Sequence, residues 1–137
     1  RGFNIESLNV AETNDSGISR MTIVTHGDDK KIEQLTKQLN KLVDVIKVID
    51  LTEEHFVDRE LILIKMNAEA RVREEILRIV DIFRAKVIDV NPDSYTVEIT
   101  GDEGKTKGFL DLLKPLGIKE VVRSGRIAIS RGIKPIN

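Results

Sequence analysis

The alternation of apolar and polar positions is clearest in the second half of the chain. Leu61 to Met66 is a continuous apolar-rich run, LILIKM, which predicts a strand covered on both faces. Val72, Ile76, Ile79, Val80 and Phe83 follow at helical spacing and predict the buried stripe of an amphipathic helix. Val87, Ile88 and Val90 predict a β-branched strand. Asn91-Pro92-Asp93-Ser94 predicts a turn, because Pro fixes φ and the Asn and Asp side chains bond back to local backbone. Tyr95, Val97 and Ile99 alternate with Thr96, Glu98 and Thr100, the pattern of a hairpin's return strand. Phe109, Leu112, Leu113 and Leu116 give a second helical stripe, closed by Gly117 as a C-terminal cap. Ile118 to Val122 predicts a last strand, which Ile127 to Ile129 can extend past a Ser124-Gly125 bend. The order over residues 58–130 is β-α-β-β-α-β, the ferredoxin-like split βαβ arrangement. Right-handed crossovers then place both helices on one sheet face.

The first half reads as β-β-α-β. Phe3, Ile5, Leu8 and Val10 form a strand whose phase slips near Glu6-Ser7, which predicts a bulge. Asn14-Asp15-Ser16-Gly17 is a turn, and Ile18, Met21, Ile23 and Val24 make the return strand. Asp28 or Asp29 can cap a helix with the stripe Ile32, Leu35, Leu39 and Leu42. Val43 to Leu51 predicts a further strand. Compared with the second half, only an opening β-α is missing, and Gly2 is placed to end a preceding helix. The chain opens Arg1-Gly2-Phe3 without Met or a targeting stretch, as though cut into. The fold class is therefore α+β, with two tandem βαββαβ domains. Residues 1–54 form the first, shown without its leading strand and helix, and residues 55–137 form the second. The polar stretch Thr52-Glu53-Glu54-His55 marks the seam.

Composition narrows the function. The 137 residues are 40% hydrophobic and 33% charged, and 22 basic against 23 acidic residues leave a net charge of −1. Such a balance gives the whole chain no electrostatic reason to seek nucleic acid or an anionic membrane. The absence of cysteine removes disulfides, thiol catalysis and cysteine-held metals, and fits a reducing compartment. The apolar runs fall short of the ~18 residues of a transmembrane helix.

Individual motifs carry little chemistry. Gly104-Lys105-Thr106 resembles the end of a phosphate loop, but the Gly required five positions earlier is Ile99, so a polar helix start is the better reading. His26 and His55 are read as solvated loop histidines, and no spacing suits zinc. The doublets Asp28-Asp29 and Glu53-Glu54 read as a cap and a polar linker. Asn14-Asp15-Ser16 matches a glycosylation sequon but reads as a turn. Arg123, Arg126, Arg131 and Lys134 make a basic cluster without interleaved aromatics, read as a solvated edge or a protein-docking patch. The residues argue against an enzyme. A nucleic-acid- or metal-responsive regulator on the same fold is the alternative to the reading that follows.

Several separated stretches carry a family resemblance. Arg1-Gly2-Phe3-Asn4-Ile5-Glu6-Ser7-Leu8 resembles the segment that closes the first helix and opens the second strand in the regulatory subunits of acetohydroxyacid (acetolactate) synthase. Ser19-Arg20-Met21-Thr22-Ile23 and the run Lys37 to Val45 are similar to that family's next strand and its second helix with final strand. Arg59-Glu60-Leu61, Ile88-Asp89-Val90, Arg123-Ser124-Gly125 and Ser130-Arg131-Gly132 resemble landmarks of its C-terminal domain. The resemblance implies that the first domain is an ACT domain, an amino-acid sensor, and the second a further ferredoxin-like unit. It implies a non-catalytic subunit that activates a large catalytic partner and makes it sensitive to a branched-chain amino acid, valine foremost. No cofactor is expected in this chain; thiamine diphosphate, magnesium and FAD are implied in the partner. Asn4 matches the family position that touches the effector, and Ile5 follows on the same strand. ACT domains of the family pair side by side, so a homodimer is expected, without nucleic acid or membrane. A cytoplasmic location is expected, or a plastid or mitochondrial one if a transit peptide was removed.

Overall fold

A computed structural model describes residues 4–26, 29–42, 44–45, 48–51 and 55–132. The chain divides into two compact units, Arg1–Val57 with Arg126–Asn137, and Asp58–Gly125.

The second unit holds the better-formed core. Its elements are β3 (Phe56–Asn67, begun in the first unit), α2 (Ala70–Ile82), β4 (Lys86–Val90), β5 (Ser94–Gly101), α3 (Glu103–Gly117) and β6 (Ile118–Arg123). They make an antiparallel sheet in the order β4-β5-β3-β6. The strand that opens the unit therefore lies between the hairpin's return strand and the last strand, as in a split βαβ fold. Ile62, Ile64 and Met66 of β3 and Val97 and Ile99 of β5 form one core with Val72, Ile76, Ile79 and Val80 of α2 and Phe109 and Leu113 of α3. Both helices thus cover the same sheet face. Phe83 and Phe109 meet with ring centroids 5.4 Å apart at an interplanar angle of 60°, a tilted pairing that aromatic quadrupoles favour.

The expectation that LILIKM is covered on both faces is corrected. Glu60, Ile62, Ile64 and Met66 are buried, whereas Leu61 and Lys65 between them are exposed. Both crossover helices lie on the same side, so the unit's own elements leave the opposite face open. The second helical stripe also departs in part from expectation. Thr106, Phe109 and Leu113 are the buried positions of α3, and Leu112 is 50% exposed. The turn at 91–94 is tied to the core by local backbone. The Asn91 N–H donates to the Ser94 carbonyl at 2.8 Å, and the Ala68 N–H donates to Asp93 at 3.0 Å.

Gly117 ends α3 with φ +102°, and a Cβ there would lie 3.2 Å from Asn67 Nδ2. Both facts predict that Gly117→Ala destabilises this unit by about 1–2 kcal/mol, the cost of a left-handed L-residue. Urea unfolding of the variant checks this.

The first unit contains β1 (Asn4–Glu12), β2 (Ser19–His26), α1 (Asp29–Asn40) and β7 (Ile127–Ser130). β1 and β2 form an antiparallel two-stranded sheet. The phase slip expected near Glu6 is present, since Ile5 pairs with Thr25 but Ser7 pairs with Val24. The 13–18 turn closes through Thr13 N–H to the Ile18 carbonyl at 2.9 Å, with Gly17 at φ +84°. Asp29 is the first residue of α1, and Asp28 lies outside the described residues. Ile32, Leu35 and Leu39 are half-buried along one stripe, and Leu42 follows the helix, exposed.

The strand expected over 43–51 is not formed in the described part of that stretch: residues 44–45 and 48–51 join no sheet, and Val43, Ile46 and Lys47 lie outside the description. In the second unit the last strand, β6, pairs with the strand that opens the fold, whereas residues 44–45 and 48–51 have no such neighbour among the described strands.

The expected extension of the last strand past Ser124-Gly125 is replaced by a separate strand. Gly125 adopts φ +86°, a left-handed bend open to glycine. Beyond it, β7 pairs with β3, whose opening residues Phe56 and Val57 fall in the first unit. The Arg131 N–H donates to the His55 carbonyl at 2.8 Å. The expected seam residues 52–54 lie outside the described residues.

Candidate functional site

The site residues expected from the resemblance lie at the start of β1. Asn4 is paired with His26 and Ile5 with Thr25, at the open end of the hairpin. Glu6 bulges out of the ladder there, and its Oε2 lies 2.6 Å from His26 Nε2. This His–carboxylate pair ends both strands on the solvent side, and the reading of His26 as solvated holds, since its side chain is 74% exposed.

The bulge decides what the ribbon presents. Leu8 opposes Ile23, Val10 opposes Met21, and Ile5 opposes Thr25. Met21, Ile23 and Thr25 alternate along β2, so they share a face. The extra residue at Glu6 therefore brings Ile5 onto the face of Leu8 and Val10. Ile5, Leu8, Val10 and Met21 are each more than half exposed. Among the described residues β1 pairs with β2 alone, leaving its outer edge open. An apolar ribbon with an open edge is a surface suited to another chain or a small apolar ligand.

The other candidate motifs resolve into structure. Gly104-Lys105-Thr106 forms the first turn of α3: the Lys105 N–H donates to the Asp102 carboxylate at 2.9 Å, and the Thr106 hydroxyl donates to the Asp102 carbonyl at 3.0 Å. This is an N-cap, and no phosphate loop is built. Among the described residues no group of three His, Cys, Asp or Glu side chains is placed to hold a metal. No helix among them is long and apolar enough to cross a membrane.

The reading of the basic cluster as a solvated edge is corrected for Arg123. Its Nη2 and Nε donate to the two oxygens of buried Glu60 at 2.7 and 3.2 Å. The Gly125 N–H donates to the same carboxylate at 3.2 Å. A buried carboxylate needs such partners, and here three donors meet it. Arg131 Nε donates to the Phe56 carbonyl at 3.4 Å, and Lys134 lies outside the described residues. The two landmarks Arg59-Glu60-Leu61 and Arg123-Ser124-Gly125 therefore touch. The Ser124 N–H donates to the Leu61 carbonyl, and the Leu61 N–H to the Ser124 hydroxyl, both at 3.0 Å. Periodicity could not find this contact, because 63 positions separate Glu60 from Arg123. The sequence offers only an acid directly ahead of an apolar run as a signal.

The comparisons with known proteins follow this geometry. Residues 59–132 match the family model described as the small subunit of acetolactate synthase. Residues 1–47 match the AHAS small subunit-like ACT domain. The chain is 55% identical over 132 residues to the acetolactate synthase small subunit of Aquifex aeolicus, covering 96% of this chain and 69% of that protein. It is 52% identical over 136 residues to the acetolactate synthase small subunit of Mycobacterium bovis, covering 99% and 81%. A crystal structure of the acetolactate synthase small subunit from Thermotoga maritima superposes with a TM-score of 0.84 at 42% identity, covering 97% of this chain and 83% of that one. With both halves matched and the fold shared, the chain belongs to the acetolactate synthase small-subunit family, as a regulatory chain with an ACT domain in its first half.

Proposed function

We propose that this chain senses a branched-chain amino acid, valine foremost, and passes the signal to a large catalytic subunit. The sensing domain spans residues 1–54 and the second domain residues 55–137. The reading is supported by one observation: the segment matched to an ACT domain carries Asn4 and Ile5 at the start of a strand that pairs only with β2 among the described residues, with Ile5 on its exposed apolar face. A two-stranded ribbon is marginal alone. Side-by-side pairing with a second copy through the β1 edge extends the sheet and brings two copies of Asn4 and Ile5 to one seam. Asn4 hydrogen-bonds the charged ends of the effector there, and Ile5 meets its aliphatic side chain.

The effector then acts as part of the dimer interface. It favours the arrangement in which it is enclosed, and that preference shifts the population the catalytic subunit meets. Valine differs from leucine and isoleucine by a single methylene, worth about 1–3 kcal/mol in an apolar pocket. The catalytic partner carries the thiamine diphosphate, magnesium and FAD that condense two 2-keto acids. This chain supplies activation and feedback, in the cytoplasm or an organelle that houses the partner.

The test is Asn4→Ala in the complex with the catalytic subunit. Losing a hydrogen bond to a charged group costs about 1.5–3 kcal/mol, so valine should bind roughly 10- to 100-fold more weakly. Activation of acetolactate formation should persist while valine inhibition moves to higher concentration. Unchanged valine sensitivity contradicts the assignment of Asn4.

A further inference from the structure

The end of the hairpin that carries Asn4 and Ile5 has two registers open to it, one residue apart. Ser7 to Glu12 oppose Val24 to Ser19 without a break, whereas Ile5 opposes Thr25 and Asn4 opposes His26, because Glu6 is left out of the ladder. Carrying the inner register straight on would set Glu6 opposite Thr25 and Ile5 opposite His26. A one-residue slip moves each side chain to the other face, so Ile5 would leave the apolar face and Glu6 would replace it. One side-chain contact favours the bulged register. Glu6 Oε2 lies 2.6 Å from Nε2 of His26, the last residue of β2. In the straight register these two side chains would project from opposite faces, and the contact would be lost.

We propose that Glu6 and His26 form a proton-sensitive lock on this register, and that they are positioning residues for the effector strand. With the imidazole protonated, the contact is a charge-assisted hydrogen bond. As the proton leaves, between about pH 6 and pH 8, the charge contribution goes with it. The bulged register, with Ile5 on the apolar face, is therefore held most firmly at the acidic end. Both side chains are exposed, so the lock shifts populations severalfold and does not act all or none. Among the described residues, the other charged groups on β1 and β2 are Glu12 and Arg20, at the far end of the ribbon opposite Ser19 and Ala11. Arg126 meets β1 through its backbone N–H, which donates to the Ser7 hydroxyl at 2.8 Å. α1 opens three positions beyond His26 with Asp29, Lys30 and Lys31. Of these side-chain types, imidazole is the one that ordinarily changes charge over this range. The proposal takes its ligand from the effector reading above, but the register lock itself does not depend on that reading.

NMR and calorimetry on the full chain, at about pH 6 and about pH 8, test it in two arms. Without ligand, cross-strand Overhauser contacts between Ile5 and Thr25 should weaken at the higher pH, and in Glu6→Gln at both. His26→Lys, which keeps a cation at either pH, should hold them at the higher one. Contacts that ignore both pH and Glu6→Gln overturn the proposal. In the second arm, the native chain should bind valine about two- to fivefold more tightly at the lower pH, the span an exposed ion pair supplies. Glu6→Gln should flatten that profile at the weaker affinity, and His26→Lys should flatten it at the tighter one. His55→Gln, at the other histidine, should leave the profile as it is. Valine binding near neutral pH should also take up protons, read as a heat that varies with the ionisation enthalpy of the buffer. A merely structural contact would lower affinity in Glu6→Gln equally at both pH values, and that result overturns the proposal. If the native chain binds no valine at either pH, the effector reading fails and the unliganded arm alone decides the lock. If valine binds equally well at both, the lock fails and the effector reading stands.

Discussion

Phe109→Ala should destabilise the second unit by about 3–5 kcal/mol, the range for removing a buried Phe ring. Phe109 is fully buried in the core of α2, α3 and the sheet, and its ring lies against Phe83. Truncation leaves a cavity that neither helix can close. Both helices are fixed by their own buried residues: Val72, Ile76, Ile79 and Val80 on α2, and Thr106 and Leu113 on α3. For a unit of this size the loss should lower Tm by at least about 10 °C. Leu112→Ala is the control. Leu112 sits three positions further on the same helix but is half exposed, so its loss should stay within about 0.5 kcal/mol. Equal effects at 109 and 112 would show that α3 packs by another face.

A second large effect is expected at Ile64. It lies on β3 between β5 and β6, with no exposed surface, opposite Val97 on one side and Val121 on the other. Ile64→Asp places a carboxylate where no donor awaits it, and an unpaired buried charge costs several kcal/mol. The second unit should then fail to fold, seen as lost cooperative unfolding and collapsed amide dispersion. Val122 gives the contrast. It pairs with Leu63 on the opposite sheet face and is half exposed. Val122→Lys should therefore fold with stability within about 0.5 kcal/mol of the parent. A strand run covered on both faces would make both substitutions severe.

That contrast also shows where the sequence is legible. The hairpin bulge at Glu6 could be read because Ile5 and Leu8 break the two-residue period, and the break has one cause in a ribbon. The α2 stripe could be read because Val72, Ile76, Ile79, Val80 and Phe83 all face one core. The run LILIKM misleads, because Leu61 and Leu63 are as apolar as their buried neighbours Ile62 and Ile64. Composition cannot say that both crossovers fall on one side. Leu112 misleads for the same reason. Residues 43–51 carry a strand pattern, but a strand needs a neighbour, and pairing is not encoded within one segment. The Glu60–Arg123–Gly125 cradle depends on a register between strands that the chain joins only after α2, the hairpin and α3. Asn4 and Ile5 carry no local signal of effector binding at all. Their expected role rests on resemblance alone, and the structure shows only that they lie beside the bulge at the end of the hairpin.

The most direct test of the account is reconstitution. The full-length subunit is titrated into the catalytic subunit from the same organism, and acetolactate formation is followed with and without valine. The account predicts no turnover by the small subunit alone, a rate that rises to saturation as it is added, and inhibition by valine that appears only in the combined enzyme. A catalytic subunit whose rate and valine response are untouched at saturating small subunit would contradict it.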